Sequence, residues 1–147
     1  MTTVHFTNVI DFKQQYNQDE FLRDNPGLAC LSIVDNAQSS FNLNPNWVDS
    51  RQVNFEDTDN SLNPNALNIA NARFIVKYLM SVKENQKVKD LIVHCVAGVS
   101  RSRAVCLFFQ EVLNNNPVED LSRTPYQTHN RLVYSQLVKA YREINYA

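Results

Sequence analysis

Glycine is nearly absent from this sequence, with only Gly27 and Gly98 in 147 residues. A chain this sparing with its least restricted residue points each glycine to a place where the backbone turns sharply or approaches something closely. Cysteine is scarce too. Cys30, Cys95 and Cys106 are an odd set with no Cys-x-x-Cys pair, which argues against a disulfide framework or a zinc site and for a reducing compartment. Neither sign of charge prevails: 14 Lys and Arg face 15 Asp and Glu, for a formal net charge of -1. That balance gives no general attraction to nucleic acid or to an anionic membrane, so any anion-binding function must be local. No apolar run approaches the roughly 18 residues of a membrane span, and the opening MTTVHFTNVIDFKQQ has neither the basic nor the apolar region of a secretion signal. The expectation is a cytoplasmic protein with no membrane association.

What is present alternates between strand and helix patterns. With 44% hydrophobic and 20% charged residues, the chain has the make-up of a soluble protein with one core, so residues 1–147 are expected to form a single domain. Ala29 to Asp35, ACLSIVD, is an apolar run between Asn25-Pro26-Gly27 and Asn36 and predicts a buried strand; RQVNF, Arg51 to Phe55, predicts a second. The intervening SSFNLNPNWVDS has loop composition, with Trp47 as its anchor in the core. Leu67, Ala70, Phe74 and Tyr78, joined by Ile75, Leu79 and Val82, recur at helical spacing, and Asn63 followed by Pro64 supplies a start signal. Leu91-Ile92-Val93 predicts a third strand. Val105, Phe108, Phe109 and Val112 then cover most of a helix's circumference, which predicts a central buried helix over Ala104–Leu113, ended by Asn114-Asn115-Asn116-Pro117. A short helical turn is expected after Pro117, with Glu119 and Asp120 in it. Leu132, Val133, Leu137, Val138, Tyr141 and Ile144 describe a terminal amphipathic helix. The order predicts an α/β fold with a central, mostly parallel sheet of roughly four to five strands flanked by helices, whose ligand binds beyond the carboxyl ends of the strands.

The run Leu91–Val93 feeds directly into HCVAGVSRS, residues 94–102. A helix beginning near Ser100 or Arg101 offers unpaired backbone N–H groups and the positive end of its dipole. Successive N–H groups from Val96, Ala97, Gly98, Val99, Ser100 and Arg101 can curl around one anion as a phosphate-binding nest. Gly98 permits the curl, because it takes positive φ and carries no side chain to block the anion. Arg101 adds a planar fork that grips two oxygens at once. Cys95 lies at the base of this bowl, where a helix N-terminus and a cation lower a thiol pKa and make the thiolate a nucleophile facing phosphorus. Ser100 and Ser102 offer hydroxyls to the loop or the thiolate, and His94 can orient the loop through its ring.

Expelling an alkoxide or phenolate requires a proton donor. FEDTDN, residues 55–60, follows the RQVNF strand and offers Glu56, Asp57 and Asp59 at that strand's carboxyl end. Asp57 is preferred for its place in Phe-x-Asp just beyond the strand, with Asp59 as its rival.

His94, Cys95, Gly98, Arg101 and Ser102 match the HCxxGxxRS signature, and the whole segment resembles the dual-specificity branch of the cysteine-dependent protein tyrosine phosphatases, where HCxAGxSRS is typical. The SIVD strand, the Phe-Glu-Asp segment, the Phe74-Ile75 helix and Asn130 ahead of a Leu137-containing helix occur in that family's order. The resemblance implies a phosphotyrosine protein phosphatase II-like fold and a two-step, metal-independent and cofactor-free phosphomonoester hydrolysis. Cys95 would form a cysteinyl-phosphate while Asp57 protonates the leaving oxygen. Asp57 would then serve as base for the attacking water, helped by Ser102, with Arg101 and the loop amides holding the phosphate oxygens. Asn130 would support the loop from behind. The substrate would be a phosphorylated protein or peptide, carrying phosphotyrosine and also phosphoserine or phosphothreonine.

Departures from the family pattern and competing assignments bound this expectation. Arg103 stands where a small residue is usual and is either a solvent-facing helix residue or a second phosphate contact. His129 replaces the proline common before the family's asparagine. Neutral Val96 and Val99 argue against a multiply phosphorylated lipid, and the absence of a basic surplus argues against an RNA 5′ phosphate. A non-catalytic phosphate-binding module is the remaining alternative. Cys106 and Cys30 are expected in the core, the sharper alternative for Cys30 being a backup disulfide with Cys95.

Overall fold

All seven residues of Leu28–Val34 are buried, because this strand has neighbours on both edges and helices on both faces. The computed structural model describes residues 2–116 and 129–146; the helical turn expected after Pro117 lies outside them. In chain order the elements are β1 (Thr3–Asn8), α1 (Val9–Asp11, continuing as a π turn Phe12–Tyr16), α2 (Asp19–Asp24), β2 (Leu28–Val34), β3 (Asp49–Asn54), α3 (Ile69–Glu84), β4 (Asp90–Cys95), α4 (Arg101–Phe108, continuing as a π turn Phe109–Leu113) and α5 (Arg131–Tyr146). The four strands form one sheet in the order β1-β4-β2-β3, and every neighbouring pair is parallel. All strand carboxyl ends therefore meet on one edge.

Side chains alternate across this sheet with a period of two, which divides the core. Ala29, Leu31 and Ile33 of β2 with Leu91, Val93 and Cys95 of β4 face α3, α4 and α5. Leu28 and Cys30 with Ile92 face the other way, onto Phe12, Leu22 and Trp47. Trp47 is the core anchor its loop predicted: its ring stacks on Phe12 at 5.6 Å and its Nε1–H donates to Asn17 Oδ1 at 2.9 Å. Burying one such aromatic or a leucine contributes roughly 1.5–3 kcal/mol each.

Three expectations need correction. The strand β1 was not anticipated, because TVHFTN is an edge strand with mostly exposed or half-buried side chains and lacks an apolar run. Helix α3 starts five residues later than Asn63-Pro64. Asn68 is its N-cap, accepting Asn71 N–H at 2.8 Å, whereas Asn63 closes a turn by accepting Asn65 N–H at 2.8 Å. The buried stripe of α3 is Ala72, Ile75, Val76, Tyr78, Leu79 and Val82, and its rotation leaves Ala70 and Phe74 outside. Among the described residues no helix is long and apolar enough to cross a membrane.

Candidate active site

Four strand ends build the site. β4 ends at Cys95, and the chain runs through Val96–Ser100 into α4, whose cap residue is Ser100. Gly98 has φ +72°, the left-handed region the tight loop requires. The reason no side chain fits there differs from the expectation. A Cβ on Gly98 would stand 2.7 Å from Asn8 N and Thr7 C, so it would strike the end of β1 and not the anion. The loop is braced there a second time, by Val9 N–H donating to Val96 O at 3.1 Å.

Cys95 is buried, and its Sγ lies 3.2 Å from Gly98 N and 3.2 Å from Ser102 Oγ. Burial opposes ionisation of this thiol. The Ser102 hydroxyl and the backbone N–H groups of Ser102, Gly98 and Ser100 outweigh that, and its pKa lies below the ordinary thiol value. Cys106 and Cys30 behave oppositely: burial pushes both thiols up. Cys30 lies on the far face of the sheet from Cys95. It pairs in register with Ile92, three residues or about 10 Å along β4, which excludes a disulfide without rebuilding the sheet.

Arg101 is only 3% exposed. Its Nη1 donates to Phe55 O at 2.7 Å and pairs with Asp35 Oδ1 at 2.6 Å, so the ends of β2 and β3 hold one corner of the guanidinium. Its Nε is buried with no hydrogen-bond partner. An unpaired buried donor on a cation is costly, and a bound oxyanion would relieve it. Asp35 escaped the sequence reading, although it directly follows the SIV strand on the ligand-binding edge. Arg103 points elsewhere, its guanidinium lying over the Phe6 ring of β1 at 4.9 Å.

His94 is fully buried, tilted against Phe12 at 4.2 Å, and its pKa is pushed down to about 4, burial being the main cause. Its tautomer follows from its neighbours. Gln52 Nε2 donates to Phe41 O at 3.1 Å and to Ser32 Oγ at 3.0 Å, which spends both amide hydrogens. Ser32 then has its own hydrogen free for His94 Nε2, 2.6 Å away, and because the Cys95 carbonyl, 3.4 Å from Nδ1, can only accept, the contacts are satisfied with the ring proton on Nδ1. The ring thus faces the loop through the Cys95 carbonyl. Ser32 and Gln52 carried no sequence signal, since an isolated serine and glutamine in two strands suggest nothing until the register pairs them.

Asp57 stands at the rim. Its Oδ1 accepts from Ser100 Oγ at 2.8 Å and from Asn130 Nδ2 at 2.9 Å. Asp59 lines the same depression of about 590 Å³, beside Thr58, His129 and Arg131. Two side chains therefore sit elsewhere than expected. The Ser100 hydroxyl serves the carboxylate and leaves the loop to its backbone. The Asn130 side chain reaches Asp57 and Thr58 O (3.1 Å), while only its N–H supports the loop, at Ser100 O (3.1 Å). Asn130 Oδ1 also caps α5 by accepting Val133 N–H at 3.0 Å, which explains how one buried amide fixes three segments. Val96, Ala97 and Val99 are exposed and give the loop an uncharged apolar lip.

No protein-family model matches the chain, and no curated protein sequence matches it. Solved structures do. The human tyrosine phosphatase-like serine/threonine/tyrosine-interacting protein superposes with a TM-score of 0.63 at 14% identity, covering 98% of this chain and 93% of that one. Human DUSP28 superposes with a TM-score of 0.62 at 16% identity, covering 99% and 96%. The α/β fold, with its four-stranded parallel sheet between helices, is the dual-specificity phosphatase fold.

Proposed function

We propose that this protein is a metal-independent phosphomonoester hydrolase acting on phosphoproteins, on phosphotyrosine and also on phosphoserine and phosphothreonine, through a cysteinyl-phosphate. The carrying observation is the pairing of a thiol whose pKa is lowered by converging donors with a buried arginine whose Nε awaits an acceptor. In the first step Cys95 Sγ attacks phosphorus and forms the S–P bond as the ester P–O bond breaks, and Asp57 gives its proton to the departing oxygen. In the second, Asp57 takes a proton from water, whose oxygen attacks phosphorus. The S–P bond breaks, inorganic phosphate leaves, and Ser102 Oγ, 3.2 Å from Sγ, donates to the returning thiolate. Arg101 and the loop N–H groups neutralise the phosphoryl oxygens throughout, which is positioning and charge stabilisation in place of a metal.

Asp57 is preferred to Asp59 as the acid because Ser100 and Asn130 tie it to the loop that holds the phosphate. Both donors meet Oδ1, leaving Oδ2 to carry the proton. The uncharged lip of Val96, Ala97 and Val99 suits a phosphorylated side chain on a protein better than a polyanionic headgroup. The test is turnover of p-nitrophenyl phosphate and of phosphotyrosyl, phosphoseryl and phosphothreonyl peptides in the presence of EDTA. Cys95→Ser should abolish phosphate release and keep binding. Undiminished turnover in that variant overturns the mechanism, and binding without turnover by the wild type would make the protein a phosphate-reading module. Asp57→Asn should lose far more activity on poor leaving groups than on p-nitrophenolate; that pattern in Asp59→Asn instead reassigns the acid.

A further inference from the structure

FEDTDN supplies an aspartate to the proposed chemistry and leaves Glu56 without a part in it. Glu56 is nevertheless firmly tied. Its Oε1 accepts from Asn65 Nδ2 at 3.2 Å, its Oε2 from Asn63 Nδ2 at 3.3 Å, and its N–H donates to Asn65 O at 2.7 Å. These bonds run to a turn that is itself rigid. Asn63 Oδ1 accepts Asn65 N–H, Ala66 N–H donates to Asn63 O at 3.0 Å, and Ala66 and Leu67 are buried just ahead of the Asn68 cap of α3. Backbone and side chain of one residue thus fasten the loop after β3 to the foot of a long helix.

We propose that Glu56 is a positioning residue for Asp57, holding the acid at a fixed place over the Cys95 loop in both of its protonation states. Phe55, Glu56 and Asp57 are consecutive, and each has its own attachment. The Phe55 carbonyl meets Arg101, Glu56 meets the asparagine turn, and Asp57 meets Ser100 and Asn130. The attachments of Asp57 itself depend on its charge. Hydrogen bonds to a carboxylate are roughly twice as strong as neutral ones, so they weaken when Asp57 takes up the proton it must deliver. Glu56 exchanges no proton with substrate, and its three bonds to the turn stay constant through the cycle. A group that must alternate between acid and base needs an anchor that does not alternate with it, and the residue one bond back along the chain provides it.

This inference rests on Asp57 being the general acid, and the experiment separates the two. Steady-state kinetics are measured on phenyl phosphate, a poor leaving group, and p-nitrophenyl phosphate, a good one. The proteins are the wild type, Glu56→Ala, Glu56→Gln, Asp57→Asn, the double variant Glu56→Ala/Asp57→Asn, and Asn63→Ala/Asn65→Ala. General acid catalysis is worth about 10²–10⁴ in rate. A displaced acid that still reaches the oxygen part of the time should cost Glu56→Ala about tenfold in kcat/KM on phenyl phosphate and under about twofold on p-nitrophenyl phosphate, because kcat/KM reports the step in which the leaving oxygen takes its proton and not the hydrolysis of the cysteinyl-phosphate common to both substrates. Glu56→Gln, which keeps one acceptor oxygen for an asparagine, should fall between Glu56→Ala and the wild type. Asn63→Ala/Asn65→Ala should reproduce the loss without touching FEDTDN and, with Glu56→Gln, carries the test should Glu56→Ala fail to fold. In the Asp57→Asn background the Glu56→Ala change should add nothing, because it acts only through Asp57. Equal losses of kcat/KM on both substrates, or losses that multiply with Asp57→Asn, overturn the positioning role. If Asp57→Asn shows leaving-group dependence and Glu56→Ala does not, the Glu56 role alone falls. If Asp57→Asn shows none, the acid is misassigned and this inference falls with it.

Discussion

Replacing Ser102 with alanine removes one hydroxyl from the first turn of α4, the one 3.2 Å from Cys95 Sγ. The sulfur is buried, which favours the neutral thiol, and its pKa is low only because four donors outweigh that penalty, this hydroxyl first among them. Without it the same burial faces three backbone N–H groups. A hydrogen bond to a charged group is worth about 1.5–3 kcal/mol, and one pKa unit corresponds to about 1.36 kcal/mol. The hydroxyl stabilises the thiolate more than the thiol, so its loss raises the thiol pKa. The assay is the pH dependence of iodoacetamide alkylation, followed by mass spectrometry at Cys95; Cys30 and Cys106 stay silent because burial pushes their thiols up. The midpoint should move to higher pH in Ser102→Ala. In turnover, the second step should slow more than the first, because the thiolate departs there without its donor, and a burst of leaving group equal to the enzyme concentration should appear. An unshifted alkylation midpoint would refute the account of how the thiolate is stabilised.

Gly98→Ala should lose stability as well as activity. A left-handed alanine costs about 1–2 kcal/mol and forcing a methyl against the backbone of Thr7 and Asn8 about 1–3 more, read as a lower urea midpoint at unchanged slope; a variant as stable as the wild type contradicts the 2.7 Å contact. Acid should unfold the protein partly through His94. Its folded pKa of about 4 lies below the ordinary histidine value of 6.5, so the unfolded chain binds the proton first and stability falls as pH drops from 6.5 to 4, by on the order of 3 kcal/mol. His94→Gln should flatten that limb in urea titrations between pH 7.5 and 4.5, and an identical slope in both proteins would show that another group is responsible.

The parts of the molecule legible in the sequence share a physical character: their signal is local. ACLSIVD and Leu91–Val93 are buried on both faces and so read as apolar runs, and HCVAGVSRS compresses thiol, glycine and guanidinium into nine consecutive residues. β1 was not legible because an edge strand with one half-buried face needs no apolar run, yet it supplies the backbone against which Gly98 closes. The helix start was misplaced because Asn63 and Asn68 are chemically the same cap. Only tertiary structure decides between them: Asn63 is engaged by Glu56 and by its own turn, which leaves Asn68 to begin the helix.

The acid shows the same limit from the other side. Asp57 and Asp59 are two residues apart at the end of one strand, and nothing in FEDTDN ranks them beyond position. The ranking comes from Asn130, 73 positions away in sequence and fixed by its role as the cap of α5, and from Ser100, whose hydroxyl is available because it makes no capping bond to α4. Asn130 spends its Oδ1 on Val133 and so has only its amide hydrogens to offer, which suit a carboxylate and a carbonyl, and it finds both in Asp57 and Thr58. Helix capping thus orients the amide that holds Asp57, and the preference for Asp57 as the proposed proton donor follows from how the last helix begins.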